Sequence, residues 1–267
     1  MKIKANGLTM NYEISGSGKW LTLIHGAGDN LEVWWHQVPV FSQHYRVLTY
    51  DVRGYGQTET PSGGYTIDIL VQDLYELLKA LGVKETYILG YSMGGGIALG
   101  LALGHPEMVK ALIIANSGAA VQRSQEEIRE RTNLRQQQAE AVQQHGLEAI
   151  IDKSTAMVFS PGWPEKNREA FEHYKKIRIK HDQKAYLIAM RSMVWGIPPP
   201  NVSDLKCPTL IIAGENDSLM GVETARASQK LIPSSQLKVM STGHASAIEK
   251  PKEFNSIVLE FLSGVGD

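Results

Sequence analysis

The sequence predicts an α/β fold, a mostly parallel sheet flanked by helices, with an all-helical insertion late in the sheet. Three observations carry this. Short apolar runs at residues 20–24, 45–50, 87–89 and 109–115 alternate with stretches of helical periodicity, the order expected of parallel strands joined by right-handed crossovers. Residues 118–200 then contain no convincing strand, and the alternation resumes at residue 209. At 267 residues and 43% hydrophobic, the chain is also long enough to bury a full core.

Residues 2–5 and 8–14 alternate apolar and polar side chains and are joined by Asn6-Gly7, a two-residue hairpin signal at the sheet edge. Residues 20–24, WLTLI, form a buried-strand pattern that ends in His25-Gly26-Ala27-Gly28, a turn able to present backbone N–H groups to a cavity. Residues 45–50 make the next strand and run into Asp51-Val52-Arg53-Gly54-Tyr55-Gly56-Gln57-Thr58. There Asp51 is expected to hold the turn through backbone hydrogen bonds. Ile67, Leu70, Val71, Leu74, Leu77, Leu78 and Leu81 follow helical spacing, closed by Gly82.

After the strand at 109–115, Ser124 and Glu127 read as a capping box opening a long polar helix with a glutamine-rich face at 136–144. Further helices are expected near 147–158, 164–180 and 183–194, and Pro198-Pro199-Pro200 stiffens the return. Residues 118–200 are therefore read as a cap over the strand ends, and 1–117 with 201–267 as the core. The core resumes with a strand at 209–213, a loop carrying Asp217, a helix at 223–231, a strand at 236–240, a loop carrying His244, and an amphipathic helix at 251–262.

Bulk properties exclude several classes. A net charge of -1 gives no electrostatic footprint for nucleic acid or an anionic membrane. The start has no apolar h-region, and no run of 18 apolar residues exists. A single cysteine, Cys207, rules out an internal disulfide framework, so a reducing cytoplasm is expected. Cys207 precedes Pro208 and an apolar run and reads as packing. No histidine sits in a metal-ligand motif; neither metal nor cofactor is expected. His25 reads as support for its turn, and His36, His44, His105, His145, His173 and His181 as surface residues.

The chemistry centres on Gly90-Tyr91-Ser92-Met93-Gly94. In strand-to-helix context, G-x-S-x-G forces the serine onto a tight turn and exposes its hydroxyl at the sheet edge, beside the positive end of a helix. Ser92, Asp217 and His244 each follow a strand, and the carboxyl ends of strands in an open parallel sheet share one rim. A serine hydroxyl needs a base to take its proton, which His244 supplies, and Asp217 would fix the imidazole tautomer.

The segments HGAG, DVRGYGQT, GYSMGG, GENDSLM and GHASAIEKP together resemble the α/β-hydrolase superfamily. Within it, the chain looks most like small bacterial esterases and lactonases, including 3-oxoadipate enol-lactonases and acyl-homoserine-lactone-cleaving relatives. The resemblance implies an eight-stranded sheet with the cap inserted after strand 6, and an oxyanion hole made by the Ala27 and Met93 N–H groups. It also offers a second place for the acid, after the strand at 109–115, but Asn116-Ser117 stand there, which favours Asp217. The activity implied is ester or lactone hydrolysis through an acyl-enzyme on Ser92, N-acyl homoserine lactones included, by a monomer or weak homodimer. Expected substrate contacts are Trp34, Tyr91, Met157, Trp163 and Trp195.

Rival activities in the superfamily divide by residue. Dehalogenases and epoxide hydrolases carry Asp at the elbow, against Ser92. Carbon-carbon hydrolases keep the serine but usually have a Trp soon after the histidine, whereas this chain has His244-Ala245-Ser246-Ala247. Cofactor-free perhydrolase or haloperoxidase activity on the same triad stays open, as does a slow-turnover ligand-binding receptor on a hydrolase fold.

Overall fold

The computed structural model describes residues 1–62, 65–192 and 201–266. Its strands are β1 (Lys2–Ala5), β2 (Leu8–Ser15), β3 (Trp20–Ile24), β4 (Arg46–Tyr50), β5 (Thr86–Tyr91), β6 (Val109–Ala115), β7 (Thr209–Gly214) and β8 (Ser235–Met240). They form one eight-stranded sheet in the order β1-β2-β4-β3-β5-β6-β7-β8. Pairs β1/β2 and β2/β4 are antiparallel, and the other neighbours run parallel. Ala5 pairs with Leu8, so Asn6-Gly7 forms the expected two-residue turn.

The helices are α1 (Val38–Phe41), α2 (Ile67–Ala80), α3 (Met93–Gly104), α4 (Gln125–His145), α5 (Glu148–Ala156), α6 (Trp163–Lys166), α7 (Arg168–Arg178), α8 (Gln183–Ser192), α9 (Val222–Leu231), α10 (Ser246–Glu249) and α11 (Pro251–Ser263). Among the described residues, none is long and apolar enough to cross a membrane.

Central strands are apolar on both faces because both are covered, the rule for parallel sheets. Ile88, Leu112 and Ile114 join α2 and α3 residues such as Leu74, Leu78 and Ile97 in one core. The alternate residues Leu89, Ile113, Leu210 and Ile212 pack with Phe41 of α1 and Phe254, Val258 and Leu262 of α11 in the other. Period-two alternation thus feeds two apolar layers from one strand.

Helices α4 to α8 lie between β6 and β7 in the chain, as the insertion reading requires. Helix α4 opens with the Ser124/Glu127 capping box. The helix expected at 164–180 is instead two, α6 and α7, separated at Asn167, whose φ of -128° and ψ of 49° are not helical. The triple proline and the last two residues of the helix expected at 183–194 lie outside the described residues.

Candidate active site

Ser92 sits between β5 and α3 with φ 53° and ψ -112°, a backbone conformation rarely adopted by a side-chain-bearing residue and one that persists only where the surroundings enforce it. The flanking glycines explain how the turn closes. A Cβ on Gly90 would lie 2.1 Å from Gly94 O, and one on Gly94 would lie 2.3 Å from Ile24 O. Strand and helix therefore approach closely enough to fix the elbow. The Ser92 hydroxyl makes no cap bond to its own helix.

Its partner is His244, whose Nε2 lies 2.9 Å from Ser92 Oγ. His244 Nδ1 lies 2.8 Å from Asp217 Oδ2. The three residues expected at the rim are thus joined in one hydrogen-bonded chain. Asp217 Oδ1 also accepts the Leu219 and Met220 N–H groups, both at 2.9 Å. Burial alone would raise the Asp217 pKa. The hydrogen bond and charge of His244, with those two amides, outweigh it and hold the carboxyl below its ordinary range.

Asn116 stands where the superfamily's alternative acid would be, and it reaches the same carboxylate: Nδ2 donates to Asp217 Oδ2 at 3.2 Å. Its Oδ1 accepts from Ser246 Oγ at 2.7 Å, and Ser246 accepts from Thr242 Oγ1 at 2.9 Å, which braces the loop carrying His244. Glu249 ties that loop to the cap. Its Oε1 accepts the N–H groups of Gly243 and Ser160, each at 2.8 Å, and Oε2 accepts Ser160 Oγ at 2.7 Å.

The loop after β3 runs beside the serine. His25 is fully buried; its Nε2 accepts the Val52 N–H at 2.9 Å, so Nδ1 carries the proton and donates to Gly26 O at 2.8 Å. Burial lowers the His25 pKa, more than Asp51 and the Gly26 bond raise it, which keeps the ring neutral. Asp51 accepts the Leu31 and Gln57 N–H groups, the turn-holding role expected of it. Among the described residues, neither the Ala27 nor the Met93 N–H donates to a protein acceptor, and both belong to the segments flanking Ser92.

A cavity of about 180 Å³ opens onto Ser92 and His244, lined also by Ala27, Tyr91, Met157, Arg131, Arg135 and Met190. Of the expected substrate contacts, Tyr91 and Met157 line it. Trp34, 2% exposed, packs edge-on against Tyr91 at 6.5 Å, and Trp163 stacks on Phe159 at 4.3 Å; neither belongs to the lining. Trp195 lies outside the described residues. A larger depression of about 700 Å³, around Lys19, Trp20, Lys84 and Lys110, sits at the amino ends of β3, β5 and β6, opposite the rim where ligands of such sheets bind.

The sequence pattern of the α/β-hydrolase fold family matches residues 19–251. The chain belongs to that family. It is 30% identical over 258 residues to 3-oxoadipate enol-lactonase 2 of Acinetobacter baylyi, covering 96% of this chain and 94% of that protein. At 29% identity over 277 residues, covering 99% and 91%, it also resembles the 2-hydroxy-6-oxo-6-(2'-aminophenyl)hexa-2,4-dienoic acid hydrolase of Metapseudomonas resinovorans. Among solved structures, the enol-lactonase of Burkholderia xenovorans is similar with a TM-score of 0.89 and 26% identity, covering 98% of this chain and 100% of that one.

Two features of this α/β-hydrolase chain escape sequence inspection. His181 is not a surface residue: it is 8% exposed, with both ring nitrogens engaged by the backbone at Gly28 O and the Gly56 N–H. Arg178, equally buried, lies near Asp29, its Nε 3.8 Å from Oδ1, while Tyr174 Oη donates to the same Asp29 oxygen at 2.7 Å. No local pattern announces these contacts; only the run of Tyr174, Ile177 and Arg178 on one helix face hints that α7 packs inward.

Proposed function

We propose that the protein hydrolyses compact carboxylic esters or lactones through an acyl-enzyme on Ser92. The observation that carries this is the continuous chain from Ser92 Oγ through His244 to Asp217, at 2.9 and 2.8 Å. Ser92 Oγ attacks the carbonyl carbon as His244 Nε2 takes its proton; Asp217 holds the ring and stabilises the imidazolium. The Ala27 and Met93 N–H groups, with the amino end of α3 behind Met93, receive the negative oxygen. Collapse expels the alkoxide, which takes the proton back from His244. Water then attacks the acyl group by the same base, releasing the acid and restoring Ser92.

Size and charge narrow the substrate. A cavity of about 180 Å³ falls below the ~300–1,000 Å³ of pockets for drug-sized ligands, which favours a short acyl part over a long chain. Arg131 and Arg135 of cap helix α4 and Arg178 of α7 line it with Asp29 as the lining carboxylate. Asp29 lies beside Arg178, so the lining is net cationic and suits an ester or lactone that carries a carboxylate away from the scissile bond. The names of two relatives support parts of this reading: 3-oxoadipate enol-lactonase names a lactone that carries a carboxylate, and the dienoic acid hydrolase names a carboxylate-bearing substrate.

The test is proton release in a pH-stat, comparing the intact protein with Ser92→Ala on a short linear ester, a five-membered lactone and a long-chain N-acyl homoserine lactone. Turnover lost in Ser92→Ala by at least ~1,000-fold is the expected result. Equal rates in the two proteins would remove the reading, and a preference for the long-chain lactone would remove its size limit.

A further inference from the structure

The loop carrying Ala27 is gripped from two sides. On the core side, His25 Nδ1 donates to Gly26 O, and the Ala27 N–H shares that rigid peptide plane, pointing away from Gly26 O. On the cap side, Arg178, the last residue of α7, and His181, three residues beyond it, take the Gly28 carbonyl. Arg178 Nε donates to Gly28 O at 3.3 Å, and His181 Nε2 lies 3.0 Å from the same oxygen. Because the Gly56 N–H donates to His181 Nδ1 at 3.0 Å, the ring proton is on Nε2, and that nitrogen is a donor to Gly28 O. Burial pushes the His181 pKa down to about 4, which keeps this tautomer neutral.

The grip is built rather than incidental. Arg178 Nη1 is anchored on Ser154 O at 2.9 Å, and Asn30 Nδ2 donates back to Ile177 O at 3.1 Å. Gly28 has φ +80°, and a Cβ there would lie 2.8 Å from Arg178 Nη2; only glycine gives both the backbone turn and the room. His181 packs edge-on against Tyr55 at 5.6 Å, and Tyr55 packs edge-on against His25, also at 5.6 Å. The core and cap histidines therefore share one aromatic neighbour.

We propose that His181 and Arg178 are positioning residues for the oxyanion hole: by holding Gly28 O, the cap keeps the Ala27 N–H aimed at the reacting carbonyl oxygen. This rests on the hydrolytic reading of the Ser92 site. Seating of the cap and setting of the oxyanion donor are then one event. A cap lifted from Gly28 O leaves the loop held on its core side alone.

His181→Phe tests this, since it keeps an aromatic ring between Tyr55 and Tyr186 and removes both backbone bonds. His181→Gln retains an N–H near the Nε2 position and serves as the rescue. Arg178→Lys, which keeps the charge beside Asp29, is the second variant should His181→Phe not fold. Amide hydrogen exchange is followed for residues 26–30 and for the elbow at 90–95, alongside kcat and KM on a short neutral ester. The expected result is exchange at 26–30 faster by about tenfold or more, with the elbow unchanged. kcat should fall about 10- to 100-fold, less than the ~100- to 1,000-fold of a deleted oxyanion donor, with KM within about threefold and with most of kcat returned in His181→Gln. Unchanged exchange at 26–30, or faster exchange with unchanged kcat, overturns the proposal. If the intact protein shows no Ser92-dependent turnover, the hydrolytic reading is what fails, and the exchange measurement still decides whether the cap holds the loop.

Discussion

Asn116 Nδ2 donates to Asp217 Oδ2 at 3.2 Å from the end of a neighbouring strand. The position that lacks an acid thus still serves one, neutral and as a donor. Asn116 has φ 48°, a conformation that Asn and Asp tolerate better than other side-chain-bearing residues, so Asn116→Asp should fold. It would place a second carboxylate against Asp217, and of two carboxylates sharing a site one is strongly raised. The expected outcome is a kcat lowered about 10- to 100-fold, with the acid limb of its pH profile moved to higher pH and a Tm close to that of the intact protein. A superimposable pH profile would show that Asn116 does not bear on the acid.

Cap charge predicts substrate charge. Burial draws the Arg135 guanidinium down to about 10, and a desolvated cation gains most from an incoming anion. Monoethyl adipate should therefore be a better substrate than diethyl adipate, which has the same scissile ester and no charge, and Arg135→Met should narrow the difference in kcat/KM by about 10- to 100-fold, the worth of a charged hydrogen bond. If diethyl adipate is turned over equally well by the intact protein, the site is a neutral-ester site.

How much of this was legible in the sequence follows from range. Strands β3 and β6 match their apolar runs end to end, because a strand buried on both faces leaves a local signature. The break at Asn167 was hidden because helical periodicity continues across it from Trp163 to Arg178. One-turn elements such as α1 and α10 are too short to show a period at all. Ser92, Asp217 and His244 were legible because each follows a strand and belongs to a recognisable motif. His181 was not: its partners are backbone groups of Gly56 and Gly28, 125 and 153 positions away, and a backbone partner has no sequence identity to read.

Tyr50 offers a stability test independent of the chemistry. Its side chain is 1% exposed and, among the described residues, its hydroxyl has no hydrogen-bond partner, so the folded state bears an uncompensated desolvation of that group. Tyr50→Phe removes only that oxygen. It should raise stability by about 1 kcal/mol, or about 2–4 °C in Tm for a chain of this size. A lower Tm would mean that the hydroxyl is satisfied by a buried water.

His181 also sets a pH dependence of stability. Its folded pKa is about 4, depressed chiefly by burial and further by His25 and Arg178 nearby, against the raising effects of Gly28 O and Asp51; an unfolded histidine titrates near ~6.5. Between those values the unfolded chain binds the extra proton, so stability rises with pH there. The contribution is fully present above about pH 6.5 and is lost as pH falls toward 4, amounting to about 3 kcal/mol across the window. His25, also lowered by burial, adds a slope of the same sign, so the informative quantity is the difference between two proteins. Denaturant midpoints measured from pH 7 to pH 4.5 should fall less steeply for His181→Phe than for the intact chain, even though the variant starts lower at pH 7 for want of its two backbone bonds. Parallel curves would mean that His181 takes up its proton in the folded state as readily as in the unfolded one, and that the hydrogen bonds to Gly56 and Gly28 do not hold it neutral.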